Sequence, residues 1–137
     1  MKLPRPSDQL AGCVWLPRLL AKARALRAGA LPEDYAERFC HPTGMDGQFL
    51  AHFSLAREDV LQAAALPDDA AARWFLSRVA TGKIEEWNQA APNFGRAGCP
   101  MAERLPVALG TTYKHLAGRG CQTVFEVLTA DENEPQA

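Results

Sequence analysis

Ten prolines and ten glycines punctuate this chain. They act as punctuation, because proline lacks a backbone N–H and glycine alone enters the left-handed region freely. Between them lie windows of roughly 8–16 residues whose apolar positions recur at helical rather than alternating spacing. The expected fold is therefore all-α, a compact single-domain bundle of about six or seven short to medium helices. A length of 137 residues with 47% hydrophobic content suits one core of ordinary size. Residues 1–132 are expected to form that domain and 133–137 an acidic, flexible tail.

Trp15, Leu19, Ala23 and Leu26 draw one apolar stripe, with Pro17 admissible only in a first helical turn and Gly29 placed to end the helix. Asp46 is expected to cap a short helix carrying Phe49, Leu50 and Phe53, and Ser54 to cap the next, with Val60, Leu61 and Ala64. Pro67 and Asp68 open a segment striped by Ala71, Ala72, Phe75, Leu76 and Val79, closed by Thr81 and Gly82. A short helix over 83–91 carries Ile84 and Trp87 and stops at Pro92, leaving 93–98 as loop. From Pro100 to Leu116 the stripe is helical, with Pro106 either kinking it or splitting it in two. Thr123 and Glu126 form a capping box before a last helix. A strand over 122–128 is the alternative there.

Four segments taken together resemble the bacterial DUF5069 family, a domain of unknown function. They are LPRPSDQLAGCVWLPRLLAKARALRAG near the start, MDGQFLAHF, GKIEEWNQ, and VFEVLTADE near the end. Arg5, Leu10, Gly12, Leu16, Arg18, Lys22, Arg24 and Gly29 in order, with the Trp87–Asn88 pair, are the most characteristic part. The resemblance runs from about Leu3 to Glu132 and implies a small, mainly helical protein. It brings no reaction and no catalytic residues, and Cys40–His41 has no clear counterpart in the family pattern.

Composition excludes several classes. Pro4, Arg5, Pro6, Ser7, Asp8 and Gln9 interrupt any apolar run after the N-terminal charges, and no uncharged stretch approaches the ~20 residues of a membrane helix. The protein is expected in the cytoplasm, with Cys13, Cys40, Cys99 and Cys121 as reduced thiols. A formal net charge of −1 argues against a phosphate-backbone partner. It is nevertheless a cancellation: residues 1–30 set six cations against Asp8, and the last twelve residues hold Glu126, Asp131, Glu132 and Glu134. There is no GxSxG for a serine hydrolase and no phosphate-cradling glycine motif, and no cofactor is expected.

What remains is a basic helix face. Arg18 and Lys22 stand four residues apart and share a face, while Arg24 points elsewhere. With Trp87 as a flat wall and Asn88 as a hydrogen-bonding arm they would clamp an anion. In the opposing reading Trp87 is core, Asn88 is tied to backbone, and the cations pair with Asp131 and Glu132. The leading expectation is a binding or interaction module, homodimeric given its Trp and Phe content, that recognises a small anionic ligand or a protein partner. The alternative is a small-metabolite enzyme with His41 as acid–base oriented by Asp46. A metal would need three or four ligands converging at about 2.0–2.3 Å. Cys40, His41 and Cys99, with Asp46, are the candidates, although no local ligand pair preorganises them.

Overall fold

A computed structural model describes residues 2–133. The chain enters as an extended segment through Pro4 and Pro6, turned at Asp8, whose carboxylate accepts the Arg5 backbone N–H at 2.9 Å. Two short strands follow, β1 (Gln9–Leu10) and β2 (Cys13–Val14), paired antiparallel with Gln9 opposite Val14 and Leu10 opposite Cys13. Ala11 and Gly12 connect them with φ of 56° and 74°, the left-handed pair that a two-residue hairpin turn requires. Trp15, also left-handed at φ 75°, reverses the chain into α1 (Leu16–Arg27).

Helix α1 ends as its glycine predicts. Gly29 has φ 69° and donates to Leu26 O at 3.1 Å, while Ala30 donates to Ala25 O at 2.8 Å. Both bonds of a Schellman motif are present. Helix α2 (Glu33–Arg38) was not anticipated; it buries none of its residues and so carries no apolar stripe to read. Helix α3 (Met45–Phe53) begins after Gly44, which corrects two cap assignments. Asp46 lies inside the first turn instead of capping it, and Ser54 is the left-handed C-cap of α3, φ 55°, instead of the N-cap of the next helix. That next helix, α4 (Arg57–Ala63), follows Ala56, and the Asp59 carboxylate takes the Ala56 N–H at 2.8 Å.

Helix α5 (Asp68–Arg78) opens after Pro67 as expected but ends at an extended Val79. Thr81 and Gly82 therefore begin α6 (Thr81–Ala90), which runs on into a 3-10 turn over 91–93 that contains Pro92. Pro106 falls in the first turn of α7 (Arg104–Gly110), where a missing N–H is harmless. The stripe from Pro100 is thus split: a turn precedes α7, and a 3-10 turn over 114–116 follows it. The last helix, α8 (Val124–Asn133), rules out the strand. Thr123 Oγ1 accepts the Glu126 N–H at 3.1 Å, and the reciprocal Glu126 carboxylate takes Thr123 Oγ1–H at 3.2 Å. The fold is all-α apart from the small hairpin, with eight α-helices among the described residues. Asn133 ends α8, and 134–137 of the expected tail lie outside the described residues.

Trp87, Phe49, Phe53, Phe75 and Phe94 form the centre of the core. Phe49 and Phe94 each meet Trp87 edge-on, at 5.3 and 5.6 Å between ring centroids, the geometry the ring quadrupoles favour. A smaller cluster of Leu105, Leu116 and Val127 holds the C-terminal helices together. Phe125 stacks on Trp15 at 5.8 Å and joins α8 to the main core.

Candidate functional site

Arg18 and Lys22 share a face of α1 as their spacing predicts, but that face is turned inward: the two residues are 2% and 6% exposed. Trp15, one turn before Arg18, lies under both cations, with Arg18 Cζ 5.4 Å and Lys22 Nζ 5.0 Å from its ring. Each cation has a carboxylate from a distant part of the chain. Lys22 Nζ donates to both oxygens of Asp46 at 2.7 and 2.8 Å. Asp46 also accepts from Trp15 Nε1 and the Cys40 backbone N–H, each at 2.9 Å. Arg18 Nη1 donates to Glu132 Oε1 at 2.8 Å and to Pro4 O at 3.2 Å, and Nη2 donates to Glu132 Oε2. Arg18 Nε is buried and has no hydrogen-bond partner among the described residues.

Burial holds the Lys22 amine below its ordinary pKa, and the Asp46 charge and hydrogen bonds pull it back up. Desolvation also raises Tyr35 and Tyr113, both within the field of Glu132 and Asp131. Asp131 itself pairs with His115 at 2.8 Å. Of Asp131 and Glu132, it is Glu132 that reaches the basic helix. Arg24 leaves this face altogether, donating to Asp68 at 2.8 Å and Leu66 O at 2.9 Å.

Trp87 and Asn88 sit elsewhere. Trp87 is 1% exposed and donates Nε1–H to Val14 O at 2.9 Å. Asn88 accepts the Val14 N–H at 3.0 Å and donates to Gly12 O at 2.7 Å. The pair ties α6 to the free edge of β2, satisfying backbone groups that so short a hairpin would leave open. Trp87 and Asn88 are thus engaged with the hairpin backbone, as Arg18 and Lys22 are with Glu132 and Asp46.

The His41/Asp46 pair is not formed either. A left-handed Cys40, φ 57°, turns the chain so that exposed His41 engages Thr43, its Nδ1 2.9 Å from Thr43 Oγ1, while Asp46 is committed to Lys22. Cys40, His41 and Cys99 with Asp46 do not come together: no group of three or more metal-ligating side chains exists among the described residues.

All four cysteines are free thiols. Burial pushes Cys13 and Cys40 up to about 12, far from the thiolate range of reactive cysteines. Cys13, with no exposed surface, is expected to resist a thiol reagent such as Ellman's until the chain unfolds. Stability contributed by the neutral Cys13 thiol is present below pH 9.0 and lost as pH rises towards 12. A Cys13→Ala variant should show a shallower alkaline loss in denaturant titrations; an equal slope would contradict this account.

Both acceptors of Arg18 line a cleft of about 540 Å³ between the N-terminal segment and the end of α8. Lys2, Pro4 and Arg5 form one side and Thr129, Glu132 and Asn133 the other. Arg5 pairs at the surface with Asp8 at 3.3 Å. The sequence holds a signal for half of this arrangement: Trp15, Arg18 and Lys22 at i, i+3 and i+7. The contribution of residues 2–5 has no periodicity to announce it.

Fold and site together define a small helical domain built around a buried and a part-buried ion pair that flank a tryptophan. The family model "Domain of unknown function (DUF5069)" matches residues 2–134, and the chain belongs to that family. No curated protein matches it. Among the described residues no helix is long and apolar enough to cross a membrane.

Proposed function

We propose that the protein is a binding module for a small anionic ligand, taken up in the cleft between residues 2–8 and the end of α8. The observation that carries this reading is the cleft's wall, which contains both acceptors of a buried arginine and two further cations, Lys2 and Arg5, at its edge. Lys2 and Arg5 supply charge that attracts the anion, and Arg18 is the fixed, fork-shaped donor that orients it. Lys22 serves from behind: its pairing with Asp46 keeps Trp15, and so the α1 face, in position. Trp87 and Asn88 hold the hairpin from which residues 2–8 lead.

Isothermal titration with inorganic phosphate and with citrate at low salt tests the reading. Saturable binding is expected, weakened about tenfold or more when Lys2→Ser and Arg5→Ser are combined, a loss of about 1.4 kcal/mol. Both residues are exposed, so the variant should fold normally. Absence of heat for either anion at millimolar concentration would sink the proposal.

A further inference from the structure

We infer that Glu132 is a built-in occupant of the anion site and that the last turn of α8 is a latch, displaced when a small multivalent oxyanion binds; this rests on the reading of the cleft given above. Three observations carry it. The first is the source of the carboxylate. Arg18 is 2% exposed in its side chain, yet its one carboxylate partner among the described residues comes from the final turn of α8, is 14% exposed, and lines the cleft.

The second is an imperfect fit. Glu132 meets the guanidinium end-on, through Nη1 and Nη2, and Pro4 O takes a further Nη1 contact. Nε is left buried with no partner among the described residues. An occupant that leaves a buried donor unmet forgoes stabilisation. An oxyanion with three or more oxygens can serve the Nε–Nη2 edge as well, which a single carboxylate held end-on does not do. The site's preferred ligand class is therefore phosphate-like or polycarboxylate rather than a simple monocarboxylate.

The third is how α8 is fastened. Its beginning is fixed by apolar and backbone contacts: Phe125 stacks on Trp15, Val127 is buried, and Val124 donates to Phe94 O at 2.9 Å. Its end is held by charge. Asp131 and Glu132 sit at the negative end of the helix dipole with no basic residue in that turn, an arrangement the dipole disfavours. Arg18, from outside the helix, offsets it, and Asp131 is hydrogen-bonded to the half-exposed His115. When an anion takes Arg18, Glu132 loses its partner and the last turn loses its main tether. The apolar half of α8 stays in place.

The test uses the full chain, with phosphate as the probe. Glu132→Gln removes the competing charge and should bind phosphate tenfold or more tightly than the wild type, and its thermal stability without phosphate should fall and recover when phosphate is added. Independently of that variant's folding, hydrogen exchange of the wild type saturated with phosphate should show faster exchange at amides 129–133 and unchanged protection at 124–127. Equal phosphate affinity in both proteins with unchanged protection at 129–133 overturns the latch and leaves the binding reading standing. No phosphate binding by either protein overturns both.

Discussion

Asp46→Ala is expected to destabilise the fold by about 3–5 kcal/mol and to lower Tm by roughly 10–20 °C, measured by denaturant and thermal unfolding. The Asp46 side chain is 1% exposed and its partner Lys22 7%, so neither charge can fall back on water when the other is removed. Truncation leaves an ammonium, the Trp15 indole N–H and the Cys40 backbone N–H without their acceptor at once. Burial already lowers the Lys22 pKa, and Asp46 is the first influence opposing that shift. A folded pKa below the unfolded value means that the folded state binds fewer protons, so stability rises with pH through that window. The deficit of the variant should therefore shrink as pH climbs towards the ordinary lysine value of 10.5. Combining Lys22→Met with Asp46→Leu should recover the part due to the stranded charge, because an apolar pair of similar volume often matches a buried ion pair. The two orphaned N–H groups would remain. A loss below about 1 kcal/mol for Asp46→Ala would show that water reaches the pair and that the buried network contributes little.

How much of this was legible in the sequence depends on the range of the interaction. Helices α1 and α5 follow from stripes of Leu, Ala and Phe a few residues apart, while Gly29 marks the end of α1 and Thr123 the start of α8 through local hydrogen bonds. Helix α2 escaped because it buries nothing, so period and polarity had nothing to correlate. Asp46 and Ser54 were misplaced for a chemical reason: the side chains that favour an N-cap also suit a first turn near the positive dipole end, or a left-handed residue. At the site, the shared face of Arg18 and Lys22 was visible, but its direction was not. Burial is decided by partners 24 and 114 residues away, Asp46 and Glu132, and a sequence does not state which carboxylate a cation will find. Trp87 and Asn88 stand out in the sequence, but what they bind in the fold does not. Their partners are backbone atoms of residues 12 and 14, and every residue offers backbone atoms, so no motif marks them.

Gly47→Ala should likewise be strongly destabilising, by about 2–3 kcal/mol, against the sign that helix propensity gives. Within a helix, alanine is favoured over glycine by about 1 kcal/mol, and Gly47 lies inside α3. A Cβ there would stand 2.3 Å from His41 O and 2.6 Å from Pro42 Cα and O. These are backbone atoms, so no rotamer change relieves the overlap, and the 41–44 turn has to lift away from α3. That turn is anchored by the Gly44 N–H to His41 O at 3.1 Å and follows directly on the Cys40 N–H that Asp46 accepts. Moving it disturbs the Lys22–Asp46 pair as well as the start of the helix. Gly82 supplies the matching control, since it lies in the first turn of α6 with nothing within 4 Å of its Cβ position. Gly82→Ala should be neutral or stabilising by up to about 1 kcal/mol, where propensity acts alone. Opposite signs at two helical glycines, read from thermal unfolding, would locate the effect in the packing of the 41–44 turn. The same sign at both would mean that this turn yields freely, and that the rigid seat it gives Asp46 is not what holds the buried pair.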